Sequence, residues 1–364
     1  MIFKRAKEIF AERLKQAGIE NIKYLRKPGR GDLFNRLAYL IATGRFKVVR
    51  TEEFGEILPG RIFDNVDGVS LLLSSGNLEA DAVIVKSTSD FEGIHIIDED
   101  DFYYPDIAVD MRFFPSLIDK EKRSLLNQLE IMFGVVKDYF TPENFYLIDR
   151  EGYCIPSLKE FFTPDVPFKI CSKPLKKRII VLDPNADEIL TRDDVDENTV
   201  LVFGGIVDHG ERLKGVTAEI YPGAVHRKIA YRGLILPVSD RINELTKLLC
   251  DFLTCEDSLE EVIRRNLTRQ AKLRIAREYI ATNLKRVKDV NGVHKCLLLS
   301  FYNQLAEEFF LKDFHFRKAS KHVNGFTVVK DEILDKIVKE ETVKNRKILE
   351  IEGLINEYVV KKYP

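Results

Sequence analysis

The chain of 364 residues has no tryptophan, only four glutamines, and no apolar run long enough to cross a bilayer. Its five cysteines, Cys154, Cys171, Cys250, Cys255 and Cys296, are odd in number and scattered, with no Cys-x-x-Cys pair and no histidine at ligand spacing. That excludes a disulfide framework and a structural zinc site as expectations, and no metal site is predicted. The N-terminus, MIFKRAKEIFAERLKQAG, reads as an amphipathic charged helix and lacks the basic, apolar and small-residue order of a signal sequence, so a cytoplasmic location is expected. Few glutamines beside 32% charged residues suit a thermophile. The 45% hydrophobic content can fill the cores of roughly two to three domains.

The net charge of −1 conceals a division along the chain. Residues 1–50 hold 13 Lys or Arg against four acids, a net +9, which leaves −10 for the remainder. Such concentration at one end points to a polyanion partner, because neutralising phosphates releases counterions and supplies sequence-independent affinity for nucleic acid. A solvated helical face is the alternative for the same residues.

Apolar residues recur at helical spacing over Phe3–Ala17 and Asp32–Ala42, around the turn Lys27-Pro28-Gly29-Arg30-Gly31. Short β-like runs follow at 46–50, 56–58, 68–73 and 82–86, so residues 1–95 read as a basic α+β domain. Residues 96–255 alternate strand and helix. A strand at Ile107–Met111, a helix at Ser116–Tyr139, strands at 145–148, 178–182, 201–207 and 228–236, and a closing helix at Ser239–Leu253 imply a mostly parallel sheet. Asn185 or Asp187 is a candidate cap for a short helix after the 178–182 strand. Residues 256–364 read as mostly helical: Ser258 is an N-cap candidate, Arg264, Arg265, Arg269, Lys272, Arg274 and Arg277 make a basic face, and Lys312, Arg317, Lys318 and Lys321 interleave with Phe314 and Phe316. That last group is suited to phosphates and bases, or equally to a core with solvated lysines around it.

The segment LVFGGIVDHGERLKG, Leu201–Gly215, carries the sharpest local signal. A buried-strand run meets Gly204 and Gly205, which let the backbone turn and let a flat ligand approach the main chain; Asp208 then lies beyond the strand's carboxyl end, where open α/β sheets bind ligands. Taken alone, the same residues also describe an ordinary turn.

Four segments together resemble the tRNA position-9 N1-methyltransferases of the SPOUT superfamily, archaeal branch. They are DIAVDMRFFPSLIDKEKRSLLNQLEIMFG from Asp106, with Ser124, Leu125, Gln128 and Leu129 in an SLxxQL pattern; IIVLDPNADEIL from Ile179; FGGIVDHGERLKGVT from Phe203; and YRGLILPVSDRINEL from Tyr231. The resemblance covers about 100–253 and implies an α/β fold: a SPOUT trefoil-knot methyltransferase domain flanked by a small N-terminal α+β domain and a mostly helical C-terminal domain. It implies S-adenosyl-L-methionine as cofactor, held by Leu182, Gly204, Gly205, His209, Gly210, Arg212, Leu213, Thr217, Leu236, Pro237 and Val238. Asp208 is implied as the catalytic residue, with Asp110 and Asp240 orienting the base. The expected partner is tRNA, with no membrane contact and a monomeric chain. Two alternatives stand beside this: another SPOUT RNA methyltransferase acting on a different base or a ribose 2′-oxygen, and an inactive RNA-binding SPOUT protein. No ribose-type N-x-(G)-x-x-x-R motif is found near the domain start.

Overall fold

Apolar strand runs pair into three separate sheets in the computed structural model, which describes residues 1–55, 58–149, 169–171, 177–207, 215–343 and 346–364. The chain divides into two compact units, Met1–Ile229 with Asp240–Asp257, and Ala230–Ser239 with Ser258–Pro364. No helix among the described residues is long and apolar enough to cross a membrane.

In the first unit, α1 (Ala6–Gln16) and α2 (Leu33–Ala42) pack beside a five-stranded sheet. Its strands are β1 (Asn21–Tyr24), β2 (Phe46–Arg50), β3 (Gly60–Val66), β4 (Val69–Leu78) and β5 (Ala82–Lys86), ordered β2-β5-β1-β4-β3, with a short α3 (Thr51–Phe54) after β2. Asp32 caps α2 by accepting from the Asn35 amide at 3.0 Å. Leu33, Phe34, Leu37, Ala38 and Ile41 then fall on its buried face at helical spacing. The runs at 46–50 and 82–86 are strands as expected. The 56–58 run lies partly outside the described residues, which omit 56 and 57.

The second sheet is parallel throughout. It contains β6 (Asp106–Asp110), β7 (Phe145–Ile148), β8 (Lys169–Cys171), β9 (Arg178–Leu182), β10 (Thr199–Gly204) and β11 (Val225–Arg227), ordered β11-β9-β10-β6-β7-β8. Thr199 to Phe203 and all five residues of β6 are buried, as expected for parallel strands covered on both faces. Helices α4 (Asp119–Tyr139) and α5 (Ile242–Thr254) pack on each other. Gln128 accepts from the first amide of α5, Ile242 N, at 3.1 Å, so one polar residue of the SLxxQL pattern caps a distant helix. The segment after β9 is an Asx turn, with Asp183 accepting from Asn185 N at 2.9 Å, where the sequence suggested a short helix. Buried Asn35 donates to the Lys137 and Phe140 carbonyls, both at 2.8 Å, and ties α2 to the end of α4.

The second unit corrects the expectation of a mostly helical C-terminal region. Helices α6 (Leu259–Arg265), α7 (Arg269–Asn283), α8 (Leu299–Glu308) and α9 (Asp313–Val323) accompany a six-stranded mixed sheet. Its strands are β12 (Lys285–Asp289), β13 (Gly292–Leu298), β14 (Phe326–Val329), β15 (Ile337–Val343), β16 (Arg346–Ile351) and β17 (Val359–Tyr363), ordered β15-β16-β12-β13-β14-β17. Strands such as KRVKD and VVKKY bury few positions, so their charged residues mask the alternation that would announce them. The legible sign was Asn291-Gly292 at the β12–β13 hairpin, where Gly292 has φ 126°.

Candidate cofactor and RNA site

In the parallel sheet, β6 connects onward to β7 on one side while β10 leads to β11 on the other. The strand order therefore reverses between β10 and β6, which is where an open α/β sheet forms its crevice. Gly204 pairs with Asp110 across this boundary, and Val202 pairs with Val181 beside it, so Leu182, Gly204 and Asp110 come together at adjacent carboxyl ends. Thr217 joins them: a Cβ added to Gly204 would meet the Ile206 and Ile220 side chains at 3.1 and 3.2 Å and the Thr217 hydroxyl at 3.5 Å. Gly205 is closer still to the main chain. Its amide donates to the Asp110 carbonyl at 2.9 Å, and a Cβ there would lie 2.7 Å from that oxygen.

Asp110 is fully buried, and its carboxylate accepts from Arg112 Nε at 3.0 Å, Arg112 Nη2 at 2.8 Å and the Arg112 amide at 3.0 Å. This chelate stabilises the buried charge and fixes Arg112, whose guanidinium lies 5.4 Å from the Tyr221 ring centroid. Arg112 was not singled out from the sequence; its place two residues after the strand-ending Asp110 was the available sign. Asp240 is exposed and precedes α5 by two residues, outside the helix it was expected to begin. Asp208, His209, Gly210, Arg212 and Leu213 lie outside the described residues.

Leu236, Pro237 and Val238 belong to the Ala230–Ser239 segment, which groups with the second unit. It opens with a tight turn: Tyr231 and Leu234 exchange two backbone hydrogen bonds of 2.8 Å, with Arg232 and Gly233 at φ 47° and 80°. The Tyr231 hydroxyl donates to Glu308 at 2.7 Å; burial, then that carboxylate, pushes the phenol up to about 12. Arg274 of α7 donates through Nε to the Leu236 carbonyl at 3.2 Å and through Nη2 to the Val238 carbonyl. In the sequence Arg274 was only one cation on a basic face. The structure shows it bound to the main chain of the 236–238 loop.

The same unit exposes a cationic and aromatic surface. Phe310 is 52% exposed at φ 51°, a backbone conformation that strains a bulky side chain, with Arg264 and Lys272 at 5.0 and 5.6 Å from its ring centroid. Arg269 lies 4.6 Å from the half-buried Phe314 ring. Burial, then neighbouring Lys312, lowers the Lys272 pKa, as crowded cations require. Phe316 is core, packed 4.2 Å from Tyr302, so of the two interleaved aromatics only Phe314 stays near the surface. In the N-terminal region many of the 13 cations have partners: Lys4 with Glu12, Lys7 with Asp32 and Arg13 with Asp101. The exposed turn at 25–31 differs. Among the described residues, its Arg26, Lys27 and Arg30 form no ion pair.

The residues at the crevice suit a bent nucleoside-sulfonium cofactor. Ile206, Thr217 and Gly204 stand partly exposed there and give an apolar contact, a hydroxyl and a stretch of main chain, while Gly205 and Ile220 are buried beneath them.

No protein-family model matches the chain. It is similar to a tRNA (adenine(9)-N1)-methyltransferase of Sulfolobus acidocaldarius, 24% identical over 262 residues, which is 70% of this chain and 82% of the relative. It is also similar to a tRNA (guanine(9)-/adenine(9)-N1)-methyltransferase of Thermococcus kodakarensis, 27% identical over 277 residues, covering 70% and 71%. The fold matches a crystal structure of Sulfolobus acidocaldarius Trm10 in complex with S-adenosylhomocysteine, with a TM-score of 0.61 at 18% identity over 88% of this chain and all of that one. A dual-specific Trm10 from Thermococcus kodakaraensis matches with a TM-score of 0.52 at 21% identity, over 71% of this chain and 99% of that one. The resemblance carried by the four motifs thus extends over some 70% of the chain.

Proposed function

We propose that this chain is an S-adenosylmethionine-dependent methyltransferase acting on N1 of the purine at position 9 of tRNA, guanine, adenine or both, through a SPOUT trefoil-knot domain at residues 96–255. The observation that carries the reading is the convergence of Asp110, Leu182, Gly204, Gly205 and Thr217 at the β10/β6 switch point, in a chain aligned over 70% of its length with two such enzymes. The bound cofactor supplies an electrophilic methyl group. Asp208 is the catalytic residue in this reading. Guanine N1 carries a proton that must leave before its lone pair can react, and the Asp208 carboxylate takes it as general base. Adenine N1 already presents a lone pair, so there Asp208 balances the positive charge that develops on the ring. Asp110, locked by Arg112, keeps the floor of the crevice rigid, and Asp240 helps orient the base.

Position 9 is buried in the tRNA core, and drawing its base out costs a few kcal/mol. Basic surfaces at 1–95 and 256–364 offset this by gripping the tRNA body: the 25–31 turn in the first, and Phe310 with Arg264, Lys272 and Arg269 in the second. The chain acts as a cytoplasmic monomer, with these flanking regions in place of a second subunit.

Nucleoside mass spectrometry of unmodified tRNA bearing adenine or guanine at position 9, after incubation with protein and cofactor, tests the reading. N1-methylpurine at position 9 is expected, and its absence from both transcripts would overturn the function. In the same assay Asp208→Asn should slow guanine methylation by about 10²-fold or more and adenine methylation less. Equal slowing on both bases removes the general-base role.

A further inference from the structure

A recess of about 910 Å³ opens in the second unit where the C-terminal ends of α7 and α9 meet β12, β13 and β16. Leu284, Leu298, Ile337 and Leu349 line it together with the polar Thr282, His322 and Asn324. Its rim is cationic, with Lys285, Arg286, Lys295, Arg346 and Lys347 against the single acid Glu340. Two of these cations are engaged: Lys347 pairs with Glu340 at 2.5 Å, and Lys295 donates to the Val323 carbonyl at the end of α9. Lys285, Arg286 and Arg346 have no ion-pair partner among the described residues. Three cations free of ion pairs around a hollow of mixed polar and apolar lining suit a ligand with spaced negative charge and weakly polar faces between the charges. A single strand of RNA has that alternation, phosphates at the rim and ribose and base edges inward. A double helix turns its bases away and is too broad to enter such a recess. Among the described residues no Phe or Tyr side chain lines the hollow, where His322 is the one ring, so binding there is mainly electrostatic and tolerant of sequence.

We propose that the hollow between the ends of α7 and α9 and the β12–β16 rim is a second RNA site, which holds an unpaired stretch of the substrate tRNA. The identity of that substrate rests on the function proposed above. The hollow shares no residue with the crevice at β10/β6, and it makes the protein a reader of single-stranded RNA as well as of a folded core.

Fluorescence anisotropy with the full chain and a labelled oligouridylate of about eight nucleotides, comparable to a single-strand site, tests this across a series of salt concentrations. The oligomer should bind more tightly than a blunt RNA duplex of equal charge. Arg286→Gln with Arg346→Gln should weaken it on the order of tenfold at low salt and flatten the slope of log affinity against log salt by about 1.4, the change expected when two phosphates of a single strand are no longer neutralised. Lys362→Gln, exposed on the edge strand β17 and outside the hollow's lining, should leave both nearly unchanged. Photocrosslinking of 4-thiouridine-substituted tRNA to the unaltered protein gives a readout independent of any variant's folding, with adducts expected on peptides containing Lys285–Arg286 or Arg346–Lys347. An unchanged slope in the double variant, equal competition by duplex, displacement by uridine monophosphate at equal concentration, or adducts confined to other peptides would each overturn the site. Oligomer binding is read without methylation, so loss of the function proposed above shows as unmodified position 9 and leaves the result on the hollow intact.

Discussion

At Gly205 the missing side chain matters because the nearest atom to an added Cβ is a carbonyl oxygen of the adjoining strand. Main chain cannot swing aside as a lysine tip would. Gly205→Ala must therefore push β10 from β6 at their carboxyl ends or break the 2.9 Å hydrogen bond between Gly205 and Asp110. The expected cost is about 1–3 kcal/mol, read as a lower melting temperature together with weaker S-adenosylmethionine binding by calorimetry. An unchanged melt would show that the strand ends have slack. The two glycines were visible in the sequence as permissive residues, and their reason was not: proximity to the main chain of β6 arises only once two strands nearly a hundred residues apart are paired. Arg112 was hidden for a similar reason, since nothing in a linear reading says that Asp110 is buried and needs a bidentate partner.

Among the elements, α7 holds a loop of its own unit. Its Arg274 reaches the carbonyls of Leu236 and Val238, which leaves the loop's backbone in one arrangement. Arg274→Ala removes two charge-assisted hydrogen bonds of about 1.5–3 kcal/mol each at most. Cofactor affinity should fall roughly tenfold or more by isothermal titration, with tRNA affinity little changed. A variant that loses tRNA and keeps cofactor would assign Arg274 to the RNA surface. Long elements with buried, periodic faces were legible: the predicted helix 116–139 is observed as Asp119–Tyr139, and of the face Leu125, Leu129, Met132, Val136 and Tyr139 all are buried but Tyr139, which is half-buried. Short strands with exposed or charged positions were not. Neither β1, with four residues, nor β3, with Ile62 and Phe63 about half exposed, shows a pattern that separates it from a loop. The charged C-terminal sheet was missed for the same cause.

For the whole molecule, stability is coupled to pH at His315. Its Nδ1 accepts from the Lys312 amide at 2.8 Å; burial first, with the charges of Lys272, Arg269 and Lys312, holds the ring below its ordinary 6.5 against the opposing pull of the Lys312 carbonyl. Because the folded value is depressed, the unfolded chain takes up the proton first. The stability this group contributes is complete above about pH 6.5 and is lost as pH falls through the folded value. The melting temperature should drop between about pH 7.5 and about 5 more in the native protein than in His315→Gln, which keeps an acceptor for the capping position. Equal drops would place the titration elsewhere. A polyanion on Arg269, Lys272 and Lys312 would relieve the repulsion and raise the His315 pKa, a shift readable by NMR on adding tRNA. The chain path through Ala230–Ser239 has its own consequence for modularity. The polypeptide leaves the first unit, contributes ten residues to the second, returns for Asp240–Asp257, and leaves again. A gene shortened after Asp257 would encode the complete parallel sheet yet strip Leu236 and Val238 of the arginine that orders them. The C-terminal region is thus no detachable cassette, and a lineage that discarded it would have to rebuild that loop's support from new residues.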